Sequence, residues 1–135
     1  MCRLIISLLL ILLSGCGTTH NSKAHVLTDT LETYAATIRW GDWAQAQAML
    51  DPETLKAHPV TSLDIERFHQ YKVSFYHDGD PLVVKVGEVQ VIAEIGLINV
   101  NTQQERNVID HQTWHYDEKA KRWLLMSGLP DIAQH

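Results

Sequence analysis

The chain has 135 residues, enough for one domain, and carries eleven Lys and Arg against sixteen Asp and Glu, a formal charge of −5. That acidic balance, with no basic run and no interleaving of basic and aromatic residues, argues against a surface built to neutralise nucleic-acid phosphates. Neither repeats nor low-complexity tracts break the chain, so a repeat architecture or a second domain is not expected.

The opening MCRLIISLLLILLSGC has one basic residue, Arg3, then an apolar run from Leu4 to Leu13 interrupted only by Ser7, then small residues before Cys16. This is the layout of a secretory signal peptide. The run is about half of the roughly 20 residues that a membrane-spanning helix needs. Leu13-Ser14-Gly15-Cys16 resembles the lipobox of bacterial lipoproteins, which implies cleavage before Cys16 and a diacylglycerol on its thiol. The competing reading is an ordinary signal with a free Cys. The resemblance divides the chain into residues 1–15 (signal peptide), 16–23 (lipidated N-terminus and short polar tether) and 24–135 (a single domain). Gly17 stands where lipoproteins retained in the inner membrane usually carry Asp, which points to the outer membrane and its periplasmic face. With Cys2 removed and Cys16 acylated, no thiol remains for a disulfide, a zinc site or a nucleophile, so stability must come from a hydrophobic core.

From Ala24 the period is helical: Leu27, Leu31, Tyr34, Ala35 and Ile38 share one face. Gly41 supplies a left-handed C-terminal residue. Asp42 caps a second helix with Gln45 three residues on, and Asp51-Pro52 starts a short third turn to about Lys56. Pro59 closes the helical part. From Phe68 the period becomes two, with Tyr71, Val73 and Phe75 on one face and Lys72, Ser74 and Tyr76 on the other. HDGDP, residues 77–81, reads as a turn. A long strand follows in which Val89, Val91, Ala93, Ile95 and Leu97 alternate with Glu88, Gln90, Ile92, Glu94 and Gly96, and Gly87 and Gly96 mark points of bulge or bend. After NVNTQQ come a strand through VIDHQTWHY, a turn near residues 118–121, a last strand at residues 122–127 and a loosely held tail.

Two or three helices followed by four strands in hairpin succession predict an α+β domain, with the helices on one face of a curved four-stranded antiparallel sheet. This order, with RWGDWAQAQAMLDPE, ERNVIDHQTWHYD and RWLLMSGLPD, resembles small proteobacterial lipoproteins and the nuclear transport factor 2-like group. That resemblance spans about residues 24–127 and implies a cone closed by the N-terminal helix.

Hairpin parity sharpens the reading of VIDHQTWHY. An even-length loop after the long strand puts Val108, Asp110, Gln112, Trp114 and Tyr116 on the face of Val89, Val91, Ala93, Ile95 and Leu97, and the next turn adds Trp123 and Leu125. Asp110 is then desolvated, which raises its pKa and suits a general acid or base. Tyr71, Gln112 and Tyr116 are candidate hydrogen-bond partners, and Trp114 is a candidate pocket wall. The stronger reading is that Asp110 is a structural residue bonded to Arg106, Tyr71 or a backbone amide. Enzymes of the resembled group, such as isomerases and cyclases, place acids and Tyr inside the cone, but no local motif carries their residues over.

His111 and His115, four apart on a strand, lie about 13 Å from each other and do not chelate one ion, so no metal site is expected. No Gly-rich phosphate loop and no G-x-S-x-G elbow is present, so no cofactor is expected. On the other sheet face Ile92, Ile98, Ile109, Leu124 and Met126 stand among Glu94, His111 and His115, which is apolar for a solvated surface. Ile92, Leu124 and Met126 are therefore candidate interface residues for a homodimer or an envelope protein. The functional expectation is a lipid-anchored, periplasm-facing binding or assembly domain; the alternative is a small-molecule isomerase, lyase or cyclase-like enzyme working inside the cone.

Overall fold

The computed structural model describes the backbone of residues 18–134 and the side chains of residues 23–134. The expected signal peptide and the expected lipidation site, Cys16, lie outside the described residues. Helix α1, Thr18–Trp40, buries Leu27, Leu31, Tyr34, Ala35 and Ile38 as its period requires. Its backbone starts six residues before the expected Ala24, because THNSK contains no Gly or Pro to stop it. Its end is a Schellman motif: Gly41 at φ 71° donates its N–H to Ile38 O (3.0 Å), and Asp42 N–H bonds Thr37 O (3.0 Å).

Asp42 then caps α2, Trp43–Ala48, accepting from Gln45 N at 3.1 Å, and Asp51 caps α3, Pro52–Ala57, accepting from Thr54 N at 3.0 Å. Pro59 does not close the helical part. Thr61 and Asp64 form a reciprocal capping box that starts α4, Ser62–His69. Phe68 belongs to this helix rather than to a strand, and stacks on Trp43 with ring centroids 4.0 Å apart.

Five strands follow instead of four: β1 (Tyr71–Asp78), β2 (Leu82–Lys85), β3 (Glu88–Asn99), β4 (Glu105–Asp117) and β5 (Arg122–Leu125). They form one curled antiparallel sheet in the order β1-β3-β4-β5, with β2 pairing the start of β3 on the β1 side. The extra strand is the short PLVVKVG stretch, where Gly87 at φ 73° serves the turn into β3 rather than a bulge within it. The architecture is α+β, helices first and sheet after.

Ile98 pairs with Glu105, so the β3–β4 loop has the even length that parity requires. Val89, Val91, Ala93 and Ile95 accordingly face Trp114, Gln112, Asp110 and Val108, and Tyr116 faces Trp123. These residues and the α1 stripe make up the core between helices and sheet.

The faces of β1 depart from simple alternation. The register slips between Val73 and Phe75, so Ser74 is an inserted residue, and Tyr76 rather than Phe75 turns to the core opposite Ile95. Gly96 makes the slip possible. A Cβ there would sit 2.4 Å from the Phe75 ring and 2.4 Å from Ser74 Oγ.

The tail is not loose. Arg106 donates to the carbonyls of Ile132 and Gln134 (3.0 Å to the latter), and the Gln134 amide both donates to Ile109 O (2.9 Å) and accepts from Ile109 N (3.2 Å). A side-chain amide thus imitates one residue of a neighbouring strand. Among the described residues, no helix is long and apolar enough to cross a membrane.

Candidate functional site

Between α1 and the sheet lies a buried polar cluster. β4 contributes Asp110, Gln112 and Trp114, whose spacing of two on one strand aims all three at α1; β1 contributes Tyr76, and α1 contributes Tyr34. Gln112 is the hub. Its Nε2 donates to Asp110 Oδ2 (2.8 Å) and to Tyr76 Oη (2.7 Å), while its Oε1 accepts from Trp114 Nε1 (3.0 Å). The indole N–H can only donate, so it fixes which way the Gln112 amide points. Tyr34 crosses Trp114 edge-to-face at 5.2 Å, and its hydroxyl has no hydrogen-bond partner among the described residues.

Burial dominates the electrostatics. Desolvation pushes the Asp110 carboxyl up to about 6, against the opposing pull of the Gln112 hydrogen bond and of nearby His111. Burial also raises Tyr34 well above the ordinary phenol range, with the Asp110 and Tyr76 charges adding to it. Tyr76 is raised by burial, while the Gln112 bond opposes and Asp110 and Asp78 reinforce the rise. Asp110 therefore changes charge near neutrality, next to two hydroxyls that keep their protons. Because Tyr76 accepts from Gln112, its own proton is uncommitted, as is that of Tyr34. Chemically the group can hold or pass a single proton.

The structure brings together Asp110, Gln112 and Trp114 of the expected site and leaves out two others. Tyr71 lies under the Arg106 guanidinium, 4.9 Å from its ring centroid, and Tyr116 packs on Trp123 (5.4 Å) and beneath Lys23 (4.7 Å). Neither Arg106 nor Tyr71 bonds Asp110; Gln112 does. Tyr76 replaces them because the bulge at Ser74 reverses the face of β1 beyond it. The sequence marks Tyr34 only as a core position of α1. Its hydroxyl is the one signal in the sequence of a polar surrounding, since a buried phenol seeks a polar neighbour.

Asp110 lines neither of two hollows formed by the described residues. One of about 500 Å³ runs between α3, α4 and the C-terminal tail, past Thr54, Arg67, Phe68 and Leu129. The other, of about 330 Å³, is a hollow on the outer sheet face beside Leu82, Gln90, Ile92 and His111. Among the described residues no three His, Cys, Asp or Glu side chains come together as a metal set would.

On the outer face, Ile92 and Met126 are exposed, but Leu124 is buried at 3% and cannot offer an open contact. It stands in β5, whose outer edge is met at Leu125 by the Met49–Asp51 segment through Asp51 N–H to Leu125 O and Leu125 N–H to Met49 O, both 2.9 Å. The chain matches no protein-family model and no curated protein.

Proposed function

We propose that this chain is a lipid-anchored, periplasm-facing domain of the bacterial outer membrane that works by binding or assembly, on a cone of the nuclear transport factor 2-like kind. The observation that carries the binding part is where exposed apolar side chains stand. Inside, Tyr34, Ile38, Gln112 and Trp114 are packed to almost no exposure and Gln112 uses its donors and its acceptor internally. Outside, Ile92, Ile109 and Met126 on the sheet and Leu82, Val83, Val84 and Val86 around β2 face solvent. Support for the anchor is the Leu13-Ser14-Gly15-Cys16 sequence behind its apolar run.

Both parts are testable in cells. Labelled fatty acid is expected to enter the full-length chain and to sediment with the outer membrane, and Cys16→Ser should abolish both. Unlabelled, soluble wild-type protein would sink the anchor. For binding, Ile92→Asp and Met126→Asp should each reduce the complexes recovered after cross-linking intact cells, with folding unchanged.

One observation favours a second reading, an isomerase or lyase inside the cone. Asp110 is buried with no salt bridge among the described residues, its pKa pushed up to about 6, near the Tyr34 and Tyr76 hydroxyls, whose protons have no acceptor among the described residues. In that reading Asp110 is the proton-transferring residue. A folded Asp110→Asn variant that keeps full function in the cell would remove it.

A further inference from the structure

Three pieces of the chain meet at one end of the sheet. β3 begins at Glu88, which pairs with His115, so the turn from β2 into β3 and the turn from β4 into β5 lie at the same end. The start of α1 lies there too: Trp123 donates its indole N–H to Lys23 O (3.1 Å), and the Lys23 ammonium pairs with Glu118. Tyr116 ties the three together. Its N–H bonds Gly87 O (2.8 Å), its ring lies under the Lys23 ammonium (4.7 Å), and it packs on Trp123. The β3–β4 loop, residues 100–104, stands at the opposite end.

This end differs in charge from the rest of the molecule. It holds Lys23, Lys85, Lys119, Lys121 and Arg122 against three acids, Glu88, Asp117 and Glu118, while the other residues from 24 to 134 carry five Lys and Arg against thirteen Asp and Glu. The three acids are engaged locally: Glu88 with Lys85 (3.2 Å), Glu118 with Lys23, and Asp117 with the N–H groups of Lys119 (2.8 Å) and Ala120 (3.1 Å). Lys119, Lys121 and Arg122 are exposed and make no ion pair among the described residues. Beside them, Val86 in the β2–β3 turn is 95% exposed. An apolar tip next to unpaired cations matches a layer of negative headgroups over hydrocarbon.

We propose that this end of the domain lies on the anionic phospholipid surface that holds the anchor, with Val86 among the headgroups and Lys119, Lys121 and Arg122 against their phosphates. The proposal rests on the lipid-anchor reading above and extends it from a tether to an orientation. Cys16 precedes Thr18, the first residue of α1, by two positions. Thr18 to Lys23 is about 8 Å of helix, and two residues of extended chain add about 7 Å, so the lipid attaches within about 15 Å of Lys23. A folded partner about 30 Å across does not fit into that gap, whereas headgroups do. Each cation brought to an anionic membrane surface strengthens attachment by about fivefold. Leu82, Val83 and Ile92 stand farther along the sheet and remain open to a protein partner.

The full-length chain, purified from cell membranes and reconstituted into vesicles of phosphatidylglycerol and phosphatidylethanolamine, tests this with two readouts. Flotation with the vesicles reads the anchor. The contact is read by a fluorophore attached through Val86→Cys or, at the opposite end, Asn101→Cys, and quenched by nitroxide-labelled phospholipid; circular dichroism checks that each variant is folded. Quenching at position 86 is expected to exceed that at position 101 by at least about fivefold. Lys119→Glu, Lys121→Glu and Arg122→Glu combined should lower the docked-to-undocked ratio at least about tenfold while flotation persists. A chain that floats with position 86 no more quenched than position 101, or with quenching unchanged by the triple substitution, would overturn the proposal and leave the anchor standing. A wild-type chain that does not float would overturn both.

Discussion

Asp110 is the residue at which physical cost and possible use meet most directly. Its folded pKa, about 6, lies above the ordinary 3.8, so the protonated form is the one the fold prefers. The stabilisation tied to that proton is fully present below about pH 4, falls away as pH rises through 6, and is absent above. The difference corresponds to about 3 kcal/mol. Asp110→Asn keeps an acceptor for Gln112 without a charge, and should therefore be more stable than wild type at pH 8 by about 1–3 kcal/mol and near parity at pH 4. Denaturant titrations at both values check this. Asp64 and Asp117, whose pKa values are lowered by backbone N–H bonds, tilt both proteins the opposite way but cancel in the comparison. Gln112→Leu strips Asp110, Tyr76 and Trp114 of their shared partner and should cost about 3–5 kcal/mol, measured the same way. The burial of Asp110 could be read from the sequence because strand alternation and loop parity are strict rules. Its partner could not, since which amide or phenol reaches it depends on the bulge in β1.

At the scale of elements, caps decide the helices and glycines decide the bends. Asp42, Asp51 and Gly41 each announce a helix boundary through local chemistry, and each performs that role. Helix α4 carries the same signal in Thr61 and Asp64, but its eight residues follow Pro59 and give too short a periodic stretch to stand out. The bulge in β1 is legible only in pairs: Gly96 shows where a side chain is forbidden, and the opposite strand shows what fills the space. Gly96→Ala drives a methyl into the Phe75 ring and Ser74, and should cost about 1–3 kcal/mol in a thermal or denaturant melt. The tail reads as polar and loose because its fastening is made by one Arg and one Gln across more than twenty residues. Gln134→Ala should speed hydrogen exchange at the Ile109 amide, whose acceptor it removes, while leaving amides in the centre of the β3–β4 ladder protected.

For the whole molecule, the helices and the inner face of the sheet form one core in which Tyr34, Ile38, Gln112 and Trp114 are packed to almost no exposure. The outer sheet face and β2 keep apolar groups in water, which a monomer without partners gains nothing by doing. Helix-then-sheet order was readable in the change of period, but β2 was not, because PLVVKVG is short, ends in a turn Gly and shows no alternation. That short strand turned out to hold the most exposed apolar stretch of the described chain. In the proposed function it is the exterior that binds. The most direct measurement of that is a photo-activated cross-linker placed at Val83 and Ile92, and at the exposed control positions Glu53 and Lys119, in intact cells. Discrete cross-linked products from Val83 and Ile92, absent from the controls, are the result expected; no product from Val83 or Ile92, with the protein correctly folded and localised, would contradict it.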